Sequence, residues 1–308
     1  MSVALLAMSH SPLLGINEPK PDVNEKLNAS FEEMKKRAAD FDPDLVIVFT
    51  PDHFNGFFYK LMPPFCVGLA AESMGDYKTT EGPLNVPDDL AADLSQHIID
   101  SGVDIAISRE MVLDHGGAQP VEILFGALDA KPVIPIFVNG VARPFVSIER
   151  VRKLGEAVGT WAKALDKKVL MVASGGLSHD PPLPRWDIAS DEQKDFLLHG
   201  HKDQAERDAR EQRVTEAGKD AGKYGIQDIN EEWDRKFLDD CKSGETTRFD
   251  EYTADQMEAE AGHSVHEVRT WFAAFSALKA ANGSYEADFE FYAPIPEFVA
   301  GFGMLAAH

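Results

Sequence analysis

Four short apolar runs, separated by segments of helical character, constrain this chain more than any other feature. Val3–Met8, Leu45–Phe49, Pro132–Val138 and Val169–Ala173 are too short for buried helices and read as strands. Between them Asn24–Ala39, Asp88–Asp100, Ala118–Leu128 and Ser147–Leu165 carry helical spacing of apolar residues. Near-continuous apolar strands alternating with helices predict an α/β fold: a central, mostly parallel sheet buried between flanking helices. No repeat at a fixed period and no low-complexity tract interrupts the pattern; 308 residues could make one large domain or two small ones, and a single domain over residues 1–308 is expected.

After Trp186 the character changes. Up to about Ala261 the chain is dense in Asp, Glu, Lys and Arg, and a charged, mainly helical lobe is expected in this C-terminal half. Trp233, Phe237, Leu238, Phe249 and Tyr252 give that stretch something to bury, which argues against a disordered tail. Its charge is read as a solvated face or an oligomer contact, and a homo-oligomer is expected. A helix is predicted from Ser264, with Tyr292–Ile295 returning as a strand.

The charge balance narrows the partners. With 52 Asp plus Glu against 30 Lys plus Arg, the formal charge is −22, which disfavours nucleic acid and anionic membrane surfaces. An acidic substrate would therefore need a local cation. Two cysteines, Cys66 and Cys241, cannot build a disulfide framework or a cysteine zinc site. No apolar run approaches the roughly 20 residues that span a bilayer. The opening Met1–Gly15 stretch lacks a basic leader region and reads as a strand rather than a signal peptide, and a cytoplasmic setting is expected.

The ten histidines carry the most functional information. His10, His53 and His179 each fall just past the carboxyl end of a predicted strand, the edge at which open α/β sheets bind ligands. His115, in Asp114-His115-Gly116-Gly117, lies in a loop before a helix and can reach the same edge. Singly, each has an ordinary explanation as a turn or structural residue; together they favour a site. His97, His199, His201 and His308 share no such context and are taken as surface residues. No tight metal-binding motif such as His-Glu-x-x-His is present. A carboxylate candidate is Glu267. It competes with a capping-box reading, Ser264-Val265-His266-Glu267, in which Glu267 serves the helix end.

Longer motifs add a resemblance. Ser9-His10-Ser11-Pro12, the stretch from Pro51 to Tyr59, Met62-Pro63-Pro64-Phe65-Cys66, Asp114-His115-Gly116, Gly175 to Pro182, His266 to Trp271 and Pro294 to Glu297 together resemble the class III (LigB-like) extradiol ring-cleavage dioxygenases. The resemblance runs nearly end to end and is weakest between about Trp186 and Gly262. It implies an iron(II) ion held by His10, His53 and Glu267, with His115 and His179 as an acid/base pair. Two imidazoles and one carboxylate on one face of Fe2+ leave positions for a catechol and for O2. His179 is then the base that deprotonates the catechol, and His115 the acid that assists ring opening. Asp114 and Asp180 are candidates to orient their neighbouring histidines, and Asn55 and Tyr59 to line the pocket.

The resulting expectation is extradiol cleavage of 3-(2,3-dihydroxyphenyl)propionate or a closely related catechol with O2, in aromatic-compound catabolism. Arg143, Arg185 and Arg269 are the candidates to meet a substrate carboxylate. Other readings are a dioxygenase for a protocatechuate, gallate or aminophenol type of ring, a metal-dependent hydrolase built on the same residues, or a non-enzymatic protein on the same fold.

Overall fold

The computed structural model describes residues 2–308; the expectation for Met1 lies outside them. In chain order the strands are β1 (Ser2–Met8), β2 (Leu45–Thr50), β3 (Phe65–Gly68), β4 (Ala71–Met74), β5 (Glu81–Pro83), β6 (Ala106–Ser108), β7 (Met111–Leu113), β8 (Val133–Val138), β9 (Lys168–Ser174), β10 (Ala287–Ile295) and β11 (Ala300–Ala307). The α-helices are α1 (Pro21–Phe41), α2 (Asp88–Asp100), α3 (His115–Phe125), α4 (Ile148–Ala164), α5 (Asp191–His199), α6 (Gln204–Ala217), α7 (Glu231–Lys242), α8 (Ala254–Ala261) and α9 (Arg269–Asn282).

The main sheet runs β10-β11-β1-β9-β2-β8-β3-β6, and β5-β4-β7 form a small second sheet. Its centre is parallel: β1 pairs with β9, β9 with β2, and β2 with β8. The four predicted strands are these four, and β2 and β8 are buried along their whole length, as strands covered on both faces must be. Side-chain alternation divides the interior. Leu5 and Ala7 join Phe49, Trp161 and Phe275 on one face, while Leu6 and Met8 join Phe31, Met34 and Val121 on the other.

The helices follow local chemistry. Pro21 opens α1, and Ser147 caps α4 by accepting from the Arg150 N–H. The helix predicted at Ala118–Leu128 begins three residues earlier, because the Asp114 side chain caps it by accepting from the Gly116 N–H. It stops at Gly126, whose left-handed backbone ends the last turn. His115 therefore sits in the first turn of α3 and not in a loop.

Helices α4 and α9 lie against each other closely enough that a Cβ at Gly155 or Gly159 would fall 2.1 or 2.0 Å from the carbonyl oxygens of Ala273 and Ala277. Only glycine permits that approach. Trp271, Phe272, Phe275 and Leu278 are completely buried along α9, which fixes the segment before it. The charged stretch is helical, as expected, but its apolar residues do not form a core of their own. Trp233, Phe237, Leu238 and Phe249 join the same cluster as α4 and α9, with Tyr252 packed against it. Among the described residues no helix is long and apolar enough to cross a membrane.

Candidate metal centre and acid/base site

The parallel strands β1, β2 and β9 end at one edge of the sheet, and their following loops carry His10, His53 and His179. His115 arrives on α3 and Glu267 on a 3-10 turn, Val265–Val268, that leads into α9. All five side chains line one pocket and all are buried. His53 Nε2 lies 3.0 Å and His179 Nε2 2.9 Å from Glu267 Oε1, while His10 Nε2 lies 3.4 Å from Oε2. Ring nitrogens of His10, His53 and His115 fall within 4.8 Å of one another.

Each imidazole is gripped from behind through Nδ1. His53 Nδ1 donates to Asp114 Oδ2 at 2.9 Å, His115 Nδ1 to Asp76 Oδ2 at 2.6 Å, and His179 Nδ1 to the Leu177 carbonyl at 2.7 Å. For His10 the partner is the Ser174 hydroxyl at 2.9 Å, and that hydroxyl donates onward to the Gly116 carbonyl at 2.5 Å. A carbonyl can only accept, so Ser174 must accept from His10, which places the proton on Nδ1. The Gly116 carbonyl is free for this because its helical partner four residues on is Pro120, which has no N–H. Every Nε2 is thus turned toward the pocket, the arrangement metal-binding histidines show.

Glu267 meets the imidazoles because the capping box does not form. Ser264 makes no side-chain cap, and the carboxylate instead accepts from the Gly176 N–H at 2.9 Å and from His53 and His179. A Cβ at Gly175 would meet the Glu267 carbonyl oxygen at 2.6 Å, so the Gly175-Gly176 pair is what lets the two segments touch. The Trp271 indole donates to the Gly175 carbonyl at 3.1 Å and locks the same junction.

The electrostatics match a site built around positive charge. Burial opposes ionisation of Glu267, yet His179, His10 and His53 together hold its carboxyl well below the usual range. Burial likewise disfavours a charged His53 and His179, but the carboxylates of Asp114 and Glu267 at His53, and of Glu267 at His179, raise both. His10, with burial dominant, is lowered to about 3 and stays neutral, as a ligand must. His115 Nε2 is buried without a hydrogen-bond partner. Clustered imidazole nitrogens, a buried carboxylate and one unsatisfied Nε2 in the same pocket fit a divalent transition metal. Both cysteines lie buried in the hydrophobic clusters instead.

Sequence-based expectations fare unevenly around this centre. The five predicted residues come together. Asp114 orients His53 rather than its neighbour His115, and Asp180 accepts from the His263 ring, not from His179. Asn55 donates to Asp114 at 2.9 Å, one layer behind the pocket, and Tyr59 lines an outer cavity that shares Pro181 and Leu183 with it. Of the presumed surface histidines, His97 and His201 are half-buried, His201 against the ring of Phe196. Arg143 is bound by Asp255 and Glu258, Arg269 is buried and donates to the Val146 carbonyl, and Arg185 meets His263; none of the three lines the pocket. Asp76, Tyr77, Ser174 and Arg210 escaped the sequence reading, since each reaches the site through tertiary packing without a local motif.

Residues 4–303 match the family model described as the catalytic LigB subunit of aromatic ring-opening dioxygenase. A Rhodococcus globerulus protein named 2,3-dihydroxyphenylpropionate/2,3-dihydroxicinnamic acid 1,2-dioxygenase is 53% identical over 310 residues, covering 100% of this chain and 98% of its own length. An Azotobacter vinelandii protein of the same name is 45% identical, covering 100% and 99%. Among solved structures, an uncharacterized protein from Escherichia coli K12 superimposes with a TM-score of 0.51 at 13% identity over 99% of both chains, a likeness of fold alone. With this site at the carboxyl edge of its sheet and these relatives along its whole length, the chain belongs to the LigB family of aromatic ring-opening dioxygenases.

Proposed function

We propose that this protein is an Fe2+-dependent extradiol dioxygenase that opens the ring of 3-(2,3-dihydroxyphenyl)propionate, or of a close acidic relative, beside its two hydroxyls. The observation that carries the reading is the convergence of three Nδ1-anchored imidazoles, His10, His53 and His179, on the Glu267 carboxylate, with a fourth, His115, beside His10 and His53. The names of the full-length relatives support the substrate class. In this reading His10, His53 and Glu267 hold the ion. Glu267 supports that choice, since it is the carboxylate in reach of both imidazoles. When bound, ferrous iron would supply the redox chemistry that lets a catecholate react with O2.

The remaining steps fall to the chain's own side chains. The proton on His179 Nδ1 is committed to the Leu177 carbonyl, so Nε2 is the nitrogen that can take a proton from a catechol hydroxyl. That nitrogen faces the pocket beside Glu267 Oε1, at 2.9 Å. His115, backed by Asp76, has its unpartnered Nε2 in the same pocket and is assigned as the proton donor for ring opening. The buried Asp76 carboxylate is the counter-charge an imidazolium needs there. Pro12, Pro181, Leu183, Val214 and Phe298 give the pocket apolar walls that suit an aromatic ring and exclude water.

The test is oxygen consumption. Protein purified anaerobically and loaded with ferrous iron is given air and 2,3-dihydroxyphenylpropionate. Stoichiometric O2 uptake with a yellow ring-opened product is expected. Equal uptake with zinc in place of iron would contradict the assignment.

A further inference from the structure

We infer that Arg210, on α6, is the subsite for the substrate's side-chain carboxylate and the residue that makes the enzyme selective for acidic catechols. This rests on the catechol-cleaving reading above and extends it to a group that no ring-cleavage step requires. Among the described residues lining the pocket, Arg210 is the one with a permanent positive charge; the other charge-bearing groups are the four imidazoles, Tyr77 and Glu267. It also lines the adjoining outer cavity, together with Phe196 and His201. Arg210 therefore borders both cavities, a position that suits a carboxylate trailing from a ring held in the inner one.

Its bonding is incomplete in a way that asks for an anion. Nη2 donates to the His53 carbonyl at 2.7 Å and Nη1 to Asn55 Oδ1 at 3.4 Å, while Nε is buried with no partner. Both contacts go to neutral oxygens. Among the described residues no carboxylate forms an ion pair with Arg210, although acidic residues exceed basic ones by 22 in the sequence and Glu206, Asp208 and Glu211 share its helix. An unpaired, half-buried arginine in so acidic a protein is costly unless a ligand completes it. Its face packs on the Phe196 ring, 5.1 Å from the centroid, which holds the plane of the fork steady for two parallel bonds to a carboxylate. Tethering to the His53 carbonyl keeps it in register with the loop that carries a proposed iron ligand.

The test compares wild type, Arg210→Gln and Arg210→Lys on two catechols, 2,3-dihydroxyphenylpropionate and the neutral 3-methylcatechol. For Arg210→Gln, kcat/KM on the acidic catechol should fall roughly 30- to 100-fold, mainly through KM, the loss expected for one charge-assisted pair. On 3-methylcatechol it should change by less than about threefold, and Arg210→Lys should recover part of the acidic activity. Equal losses on both rings would show that Arg210 only props the His53 loop, and no loss would show that the carboxylate binds elsewhere; either overturns the inference. Calorimetric binding of 3-phenylpropionate, which has the carboxylate but no hydroxyls, reads the subsite without turnover. Arg210→Gln should weaken it at least about 10-fold, while Arg213→Gln, an exposed charge on the same helix, should not. If wild type cleaved neither catechol yet showed this binding difference, the activity reading would fail and the subsite would stand. Absence of binding to wild type, or an equal loss in Arg213→Gln, would refute the subsite.

Discussion

The hydroxyl of Ser174 sits 2.9 Å from Nδ1 of His10 and fixes which nitrogen of that ring carries the proton. The relay ends on the carbonyl that Pro120 leaves free, so a helix residue without an N–H helps turn His10 Nε2 into the pocket. Replacing Ser174 by alanine removes the acceptor and lets the ring rotate or change tautomer. Ferrous ion affinity, read by competition with a chromogenic chelator, should fall about 10- to 100-fold with the fold retained. Asp114→Asn, which unseats His53 and Asn55 together, should fall at least as far.

His115→Ala and His179→Ala separate proton transfer from metal binding. Each should lower turnover by at least about 100-fold. Iron content after anaerobic loading should stay near one per chain. Loss of iron in His115→Ala would identify that imidazole as a ligand, a role its proximity to His10 and His53 permits.

Asp234 gives a pH signature outside the pocket. It is buried beneath the catalytic loop, accepting from the Ser178 N–H and hydroxyl at 2.7 Å each and from Tyr292 at 2.8 Å. Burial pushes its carboxyl from 3.8 up to about 6 despite those donors. The folded protein therefore keeps a proton that the unfolded chain has released. That stabilisation is complete below pH 3.8 and is lost as the pH climbs through about 6. Relative to Asp234→Asn, the wild type should lose roughly 2 kcal/mol of unfolding free energy between pH 4 and 7, measured by urea titration at each pH.

The α4–α9 contact should be intolerant of any side chain. Gly159→Val puts its Cβ into the Ala277 carbonyl and forces the helices apart. A cost of about 3 kcal/mol in urea unfolding is expected. Because α9 carries the turn that holds Glu267, iron binding should weaken in the same variant. Unchanged iron affinity would uncouple this packing from the site.

The strands and the histidines at their ends were legible because short apolar runs and the turn residues after them are local signals. Ser9-His10-Ser11-Pro12 and Pro51-Asp52-His53 announce the carboxyl edge without tertiary knowledge. Glu267 was ambiguous because the same four residues spell a capping box, and only the approach of Gly175-Gly176 decides between a helix end and the imidazoles. Partners of the histidines were misassigned wherever sequence adjacency stood in for space. Asp114 caps α3 and turns its other oxygen to His53, leaving His115 to Asp76, 39 residues away. Arg210 was hidden in a charged stretch whose neighbours are mostly solvated, and nothing in its local pattern marks it.

The most direct measurement is anomalous diffraction at the iron edge from crystals grown anaerobically with ferrous ion. One strong peak is expected in the pocket, bonded to Nε2 of His10, Nε2 of His53 and the Glu267 carboxylate, with His115 and His179 alongside but unbonded. A peak that excludes Glu267, or iron bound anywhere else in the chain, would contradict the proposed centre.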